Sequence, residues 1–156
     1  MSYKVFFSYS VQDSAWIEWL AQSLQKVEIE PYMFQYDLQP GQYVAEKVKK
    51  NIEACDCFVV LISQASSFSQ YVNQEIGVAE GKNKLVVPLV EVGIDSKRLG
   101  MLEGREYVSF DKRDPYFTQS KIIEYLSKKK ASKELQESVA LGILAALIII
   151  AILGRE

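Results

Sequence analysis

The residues able to do chemistry in this chain are few, because its 156 residues include no histidine and only two cysteines. Without imidazole there is no Ser-His-Asp or Cys-His nucleophile pair, and no histidine-ligated zinc or iron. Cys55 and Cys57 stand in a C-x-C spacing with no second pair to complete a metal site. They flank Asp56 at the entrance to an apolar run and read as small buried hydrophobes, so no metal is expected. Catalysis must then rest on carboxylates, hydroxyls, lysines or backbone groups. A carboxylate alone can stabilise the positive charge that develops in an oxocarbenium-like transition state, as in glycoside cleavage. Glu75 is one such carboxylate, set among residues at helical spacing. On a helix that turns Val72, Ile76 and Ala79 inward, Tyr71 and Glu75 share a neighbouring face one turn apart. The same spacing also fits an ordinary exposed helix glutamate.

The elements that must position these residues alternate strand and helix. Lys4 to Ser10 is short, aromatic and β-branched, and reads as a buried strand. Asp13 and Ser14 offer a helix cap, and Trp16, Trp19, Leu20 and Leu24 recur at helical spacing to about Val27. Pro31 opens an aromatic run, Tyr32 to Tyr36, which ends in the turn Asp37-Leu38-Gln39-Pro40-Gly41. Val44, Val48 and Ile52 lie on one face of a second helix. Cys57 to Ile62 has the unbroken apolar character of a central parallel strand. A third helix carries Val72, Ile76 and Ala79 and ends at Gly81. Leu85 to Val90 is a fourth strand, in which Pro88 predicts a bulge or a tolerated ladder break. Glu106 to Phe110 is a weaker fifth, and a last helix starts near Asp114-Pro115 with Ile122, Ile123 and Leu126 inward. This order predicts a doubly wound, flavodoxin-like α/β fold with a five-stranded parallel sheet between flanking helices. Ligands of such sheets bind beyond the carboxyl ends of the strands, here just after Tyr9, Tyr36 and Ile62.

Composition narrows the function classes. Apolar residues make up 49% and charged residues 24%, which is globular, and a net charge of −2 argues against a nucleic-acid partner. There is no disulfide framework and no leading signal peptide pattern, in keeping with a cytoplasmic domain. A phosphoacceptor domain of similar fold would need an aspartate at the end of the third strand, where Leu61-Ile62-Ser63 stands, and an acidic pair where Tyr9-Ser10 follows the first.

The tail differs from the rest. Between Glu137 and Arg155 about 17 residues carry no charge, near the lower limit for crossing a bilayer. The stretch Val139 to Leu153 is apolar all round, and at about 1.5 Å per residue segment 138–154 spans roughly 25 Å. Lys128, Lys129, Lys130 and Lys133 precede it, which by the positive-inside tendency keeps the domain cytoplasmic. The organisation expected is a domain over 1–127, a basic stalk over 128–137, and a transmembrane or oligomerisation helix over 138–154. With no proline between Tyr116 and Leu153, the last domain helix can continue into the stalk.

Several segments resemble, in consistent order, the Toll/interleukin-1 receptor (TIR) domain family, prokaryotic type. Phe6-Phe7-Ser8-Tyr9-Ser10 is similar to the family's first-strand motif, and Asp37 to Gly41 to the start of its BB loop. Tyr71-Val72-Asn73-Gln74-Glu75-Ile76 resembles the helical motif that carries the glutamate of enzymatic members. Gly81-Lys82-Asn83 followed by Leu85 to Leu89 resembles the entry to the fourth strand. The likeness covers about residues 3–126.

That resemblance implies one of two activities. Some TIR domains are scaffolds that assemble through homotypic contacts. Others cleave the nicotinamide–ribose bond of NAD as glycohydrolases or cyclases, with NAD as substrate and no further cofactor. For the enzymatic case it implies Glu75 as the catalytic residue and Phe7, Ser8, Tyr9, Ser10, Tyr36, Asp37 and Tyr71 as substrate-binding candidates. Tyr71 stands where enzymatic members usually carry tryptophan, and keeps an aromatic face for stacking. Ser10 stands where several carry a basic residue, which leaves the phosphates to Lys47, Lys82 or Lys84. Ser8 fits a backbone cap as well, Asp37 a turn, and Tyr36 the core. Self-association would activate the enzyme in immune or cell-death signalling, and a third possibility makes the tail the effector.

Overall fold

A computed structural model of the chain describes residues 2–33 and 44–154. Tyr36 and Asp37 lie outside the described residues, as does the rest of the turn to Gly41. Five parallel strands form one sheet in the order β2-β1-β3-β4-β5. They are β1 (Tyr3–Ser8), β2 (Ile29–Met33), β3 (Cys57–Ile62), β4 (Leu85–Glu91) and β5 (Val108–Phe110). The helices are α1 (Ser14–Gln25), α2 (Val44–Ala54), α3 (Gln70–Gly81) and α4 (Pro115–Leu153). The doubly wound arrangement expected from the alternation is what the chain forms. Its strand order reverses between β1 and β3, which sets the switch-point crevice there.

Strands β1, β3 and β4 divide their side chains between two cores. Tyr3, Val5 and Phe7 of β1 join Val59 and Leu61 of β3 beneath α1 and α4. Phe6 joins Phe58, Val60 and Ile62 beneath α2 and α3. All six residues of β3 are buried, as its unbroken apolar run required. The Phe6 and Phe58 rings stack at 5.6 Å across the β1–β3 pair, an arrangement worth about 0.5–1.5 kcal/mol beyond area burial.

Two local expectations need correction, and two further details go beyond what the sequence decided. Asp13 precedes α1 but makes no side-chain cap. Ser10 instead caps a short 3-10 turn at Val11–Asp13, its Oγ accepting from the Gln12 N–H. The second strand begins at Ile29, ahead of the aromatic run. It includes Pro31, which an edge strand tolerates because one side of its backbone has no ladder. Pro88 produces no bulge: Val87, Pro88 and Leu89 pair in step with Val59, Val60 and Leu61. The β4–β5 ladder starts only at Leu89, so Pro88 lies just outside it. A 3-10 segment at Ser96–Leu102, which no periodicity announced, buries Leu99 and Leu102 over the α3 side of the core.

Helix α4 is continuous for 39 residues, about 58 Å. Pro115 sits in its first turn, where the missing N–H costs nothing, and Asp114 accepts from the Phe117 N–H at 3.3 Å. Thr118, Ile122 and Leu126 hold its first third against the sheet. Val139, Leu141, Ile143, Leu147 and Ile150 are exposed together with their apolar neighbours. By length and composition this helix is able to cross a membrane, and none of its apolar window is buried in the protein.

Candidate active site

At the carboxyl end of β1 the polypeptide places a buried hydroxyl against a buried carboxylate. Ser8, the last residue of the strand, points to the α3 side and donates its Oγ hydrogen to Oε2 of Glu75. Ser8 is 1% exposed and Glu75 7%. Glu75 reaches this position because α3 starts at a Ser69 cap, whose Oγ accepts from the Val72 N–H, and buries Val72, Ile76 and Ala79 against the sheet. Glu75 lies beside that stripe, where a helix residue borders the cleft without entering the apolar core.

A groove of about 250 Å³ opens beside the carboxylate, between α2 and α3. Val44, Ala45 and Val48 form one wall, and Tyr71, Gln74, Glu75 and Val78 the other. Tyr71 stands at its rim with 62% of its surface exposed. A mostly apolar slot with a carboxylate at its inner end and an aromatic ring at its mouth has the ordinary make-up of a small-molecule site.

The structure brings Ser8, Tyr71 and Glu75 together, leaves the Tyr9 phenol within electrostatic reach of Glu75, and separates Phe7 from them. Phe7 points to the opposite face of the sheet, where it is buried among α1 and α4 residues, because successive strand side chains alternate. Tyr9 is half-buried and packs on the same α1 side. Burial raises its phenol above the ordinary range, and the carboxylates Glu18 and Glu75 push it further up, so its hydroxyl keeps its proton. Ser10 caps the 3-10 turn.

The lysines divide in the same way. Lys84 donates to the carbonyl of Cys55 at 2.8 Å, and Lys82 pairs with Glu53 at 2.6 Å, both at the amino edge of the sheet and away from Glu75. Lys47 alone of the three belongs to a helix that lines the groove.

The switch-point crevice holds a network that sequence reading missed. Ser63, just after β3, donates to Asp13 Oδ2 at 2.6 Å across the crevice. Ser66 Oγ accepts from the Ser63 N–H at 2.7 Å and donates to the Leu61 carbonyl at 2.6 Å. Nearby, Glu91 at the end of β4 accepts from the Gln64 N–H and pairs with Lys112 at 2.9 Å. Burial raises the Asp13 carboxyl, while the Ser63 hydrogen bond and the Lys112 charge oppose that shift. The signal for Asp13 was present but ambiguous, since an aspartate before a helix is ordinarily read as a cap. Gln74 was legible in hindsight: positions 71, 74, 75 and 78 form a stripe next to the core stripe.

The family model for the TIR domain matches residues 5–124. The chain belongs to the TIR domain family. Among solved structures it is similar to the TIR domain of the Toll-related receptor TRR-2 from Hydra magnipapillata, with a TM-score of 0.64 and 18% identity over 80% of this chain and 98% of that one. A metazoan TIR-STING receptor from C. gigas, in complex with 2',3'-cGAMP, matches with a TM-score of 0.65 and 20% identity over 79% of this chain and 39% of that one. The CMP N-glycosidase BcmB of Clostridium botulinum matches at 0.56 with 20% identity, over 76% and 97% respectively. At these identities the likeness shows a shared TIR fold. No curated protein matches the sequence.

Proposed function

We propose that this TIR domain is an NAD glycohydrolase or cyclase, held at a membrane by segment 138–154 and activated by self-association. The supporting observation is the Ser8–Glu75 pair at the inner end of the α2–α3 groove. In this reading the nicotinamide–ribose end of NAD enters the groove beside Tyr71, and Glu75 lies next to the ribose. The bond from ribose C1' to the pyridinium nitrogen breaks heterolytically. Its electron pair leaves with nicotinamide, which departs as a neutral pyridine, so no acid need protonate it. Glu75 stabilises the oxocarbenium charge left on the sugar and orients the ribose hydroxyls. Water then attacks C1' and loses a proton to give ADP-ribose, or an adenine nitrogen attacks to give a cyclic isomer.

That one structural neighbour is a CMP N-glycosidase is in keeping with N-glycosidic cleavage as the reaction class. The apolar segment would anchor the chain with the domain in the cytoplasm and raise the effective concentration of neighbouring copies. Expected partners are therefore NAD, further copies of the domain and lipid, in immune or cell-death signalling. The deciding experiment follows nicotinamide release by the full chain in liposomes beside Glu75→Gln. Turnover that disappears in the variant supports the enzyme. Equal turnover removes Glu75 from catalysis, and no turnover in either, even at high surface density, leaves a scaffold that works through contacts alone.

A further inference from the structure

The four lysines ahead of the apolar segment all have partners within the chain. Lys128 pairs with Glu124 at 2.6 Å, and the Lys129 ammonium lies 5.4 Å from the Tyr125 ring centroid. Lys130 pairs with Glu28 at 3.0 Å, and Lys133 with Asp56 at 2.9 Å. Further along the helix, Glu134 and Glu137 stand one turn after these two lysines at 3.6 and 3.8 Å. The long-range pairs share one location. Glu28 immediately precedes β2 and Asp56 immediately precedes β3. Asp56 is also fixed from β1, its Oδ2 accepting from the Lys4 N–H at 2.8 Å. Lys133 further donates to the Ser2 carbonyl at 3.4 Å, just ahead of β1. Three adjacent strand starts are thus tied to one turn of α4, whose own first turns are tied to β5 through Thr118 and the Ser109 carbonyl.

We infer that Lys130 and Lys133 brace the stalk instead of gripping lipid, so that α4 is a rigid strut holding the amino edge of the sheet toward the bilayer and the groove away from it. Lys133 and Asp56 are 31% and 24% exposed at the side chain, so that pair is better shielded than an ordinary surface ion pair, whereas Glu28, opposite Lys130, is 88% exposed and its pair is the weaker tie. From Lys133 to Val139 is six residues of helix, about 9 Å, which places the strand starts at headgroup level. Six-residue strands then carry Ser8 and Glu75 roughly 20 Å farther out. The substrate of such a site reaches it from water and not from the membrane. The inference rests on the proposed membrane anchoring, and its test separates the two.

The test uses the full chain in neutral phosphatidylcholine vesicles and in vesicles containing phosphatidylserine, with headgroup-labelled lipid as energy-transfer acceptor. A donor is attached at Lys26→Cys, on the amino edge, or at Val92→Cys, at the carboxyl edge; both native thiols are buried and stay unlabelled. Transfer should be several-fold stronger from position 26 in both vesicle types. Two variant pairs then remove the brace from either side, Lys130→Gln with Lys133→Gln, and Glu28→Gln with Asp56→Asn. Each should bring the two positions toward equal transfer, with the domain's melting transition retained. The acid-side pair is the sharper case, since it leaves every lysine available to lipid. Orientation unchanged in that pair, or found only with phosphatidylserine, or absent in the parent protein, overturns the brace. Failure of the chain to float with vesicles refutes the anchoring itself, and the brace with it.

Discussion

Ser8 Oγ donates to Glu75 Oε2 across the junction of β1 and α3, and both groups are almost wholly buried. The pair fixes one carboxylate oxygen and the side-chain torsions with it, so that the carboxylate is held at the end of the groove before any ligand arrives. Ser8→Ala should therefore lower kcat for nicotinamide release by about 10- to 100-fold, as expected for loss of one orienting hydrogen bond near the reacting centre. KM should change little. Ser8→Thr keeps the hydroxyl in a strand that accepts β-branched residues, and should recover most of the loss. If alanine and threonine behave alike, the hydroxyl has no positioning role.

The buried carboxylate also bears on stability. A carboxylate under apolar walls is costly unless well partnered, and residues kept for function commonly lower stability. Glu75→Gln keeps an oxygen to accept from Ser8 and removes the charge. Its thermal midpoint should match or exceed that of the parent, while turnover falls by about 100-fold or more. A variant that loses activity by melting earlier would show that Glu75 is needed for folding first.

Tyr71 is exposed at the groove mouth, and its truncation should alter stability by no more than about 0.5 kcal/mol. Tyr71→Ala should raise KM for NAD by roughly 10-fold through loss of stacking, an effect of about 1.4 kcal/mol. Tyr71→Trp should restore or improve it. Steady-state kinetics on the three proteins at matched surface density would decide this, and an unchanged KM in the alanine variant would mean that the ring touches no substrate.

Asp13 gives a stability signature in pH. Its folded-state carboxyl is raised above the ordinary value, mainly by burial. The folded protein then binds more protons at this site than the unfolded chain in the window between the two values. Stability from this group is fully present below the ordinary aspartate range and is lost as pH rises through the raised folded value. Asp13→Asn removes that loss and keeps an acceptor for Ser63. The gain in thermal midpoint over the parent should be larger at pH 7.5 than at pH 4. An equal gain at both would mean that the Ser63 hydrogen bond and Lys112 fully offset the burial.

The fold was legible because its signals are long and redundant. The run Cys57–Ile62 can be little but a central strand, and the spacing of Val72, Ile76 and Ala79 fixes which side of α3 enters the core. The first-strand motif, the turn at Asp37 to Gly41, the stretch around Glu75 and the entry to the fourth strand resemble the family through their order, which the family match over residues 5–124 bears out. What sequence could not resolve was direction at single positions. Phe7 and Ser8 are neighbours in one motif, yet strand alternation sends one to the α1 core and the other to Glu75. Asp13 looked like a cap because caps are local, whereas its partner Ser63 is fifty residues away. Lys82 and Lys84 looked available for phosphates until the direction of β4 placed them at the wrong edge. The lysines of the stalk read only as a basic cluster ahead of the apolar segment, since Glu28 and Asp56, the partners of Lys130 and Lys133, become their neighbours only on folding.

The unbroken run of α4 from the sheet into its apolar segment makes the domain and that segment parts of one screw. Each residue between Lys133 and Val139 sets an azimuth as well as a height, turning the groove by about 100° around the helix axis for every 1.5 Å of lift. Two such molecules side by side would present their faces to one another at angles fixed by residue count. Adding one residue there would swing the groove to another compass bearing, while adding seven would return it nearly to its original heading about 10 Å higher.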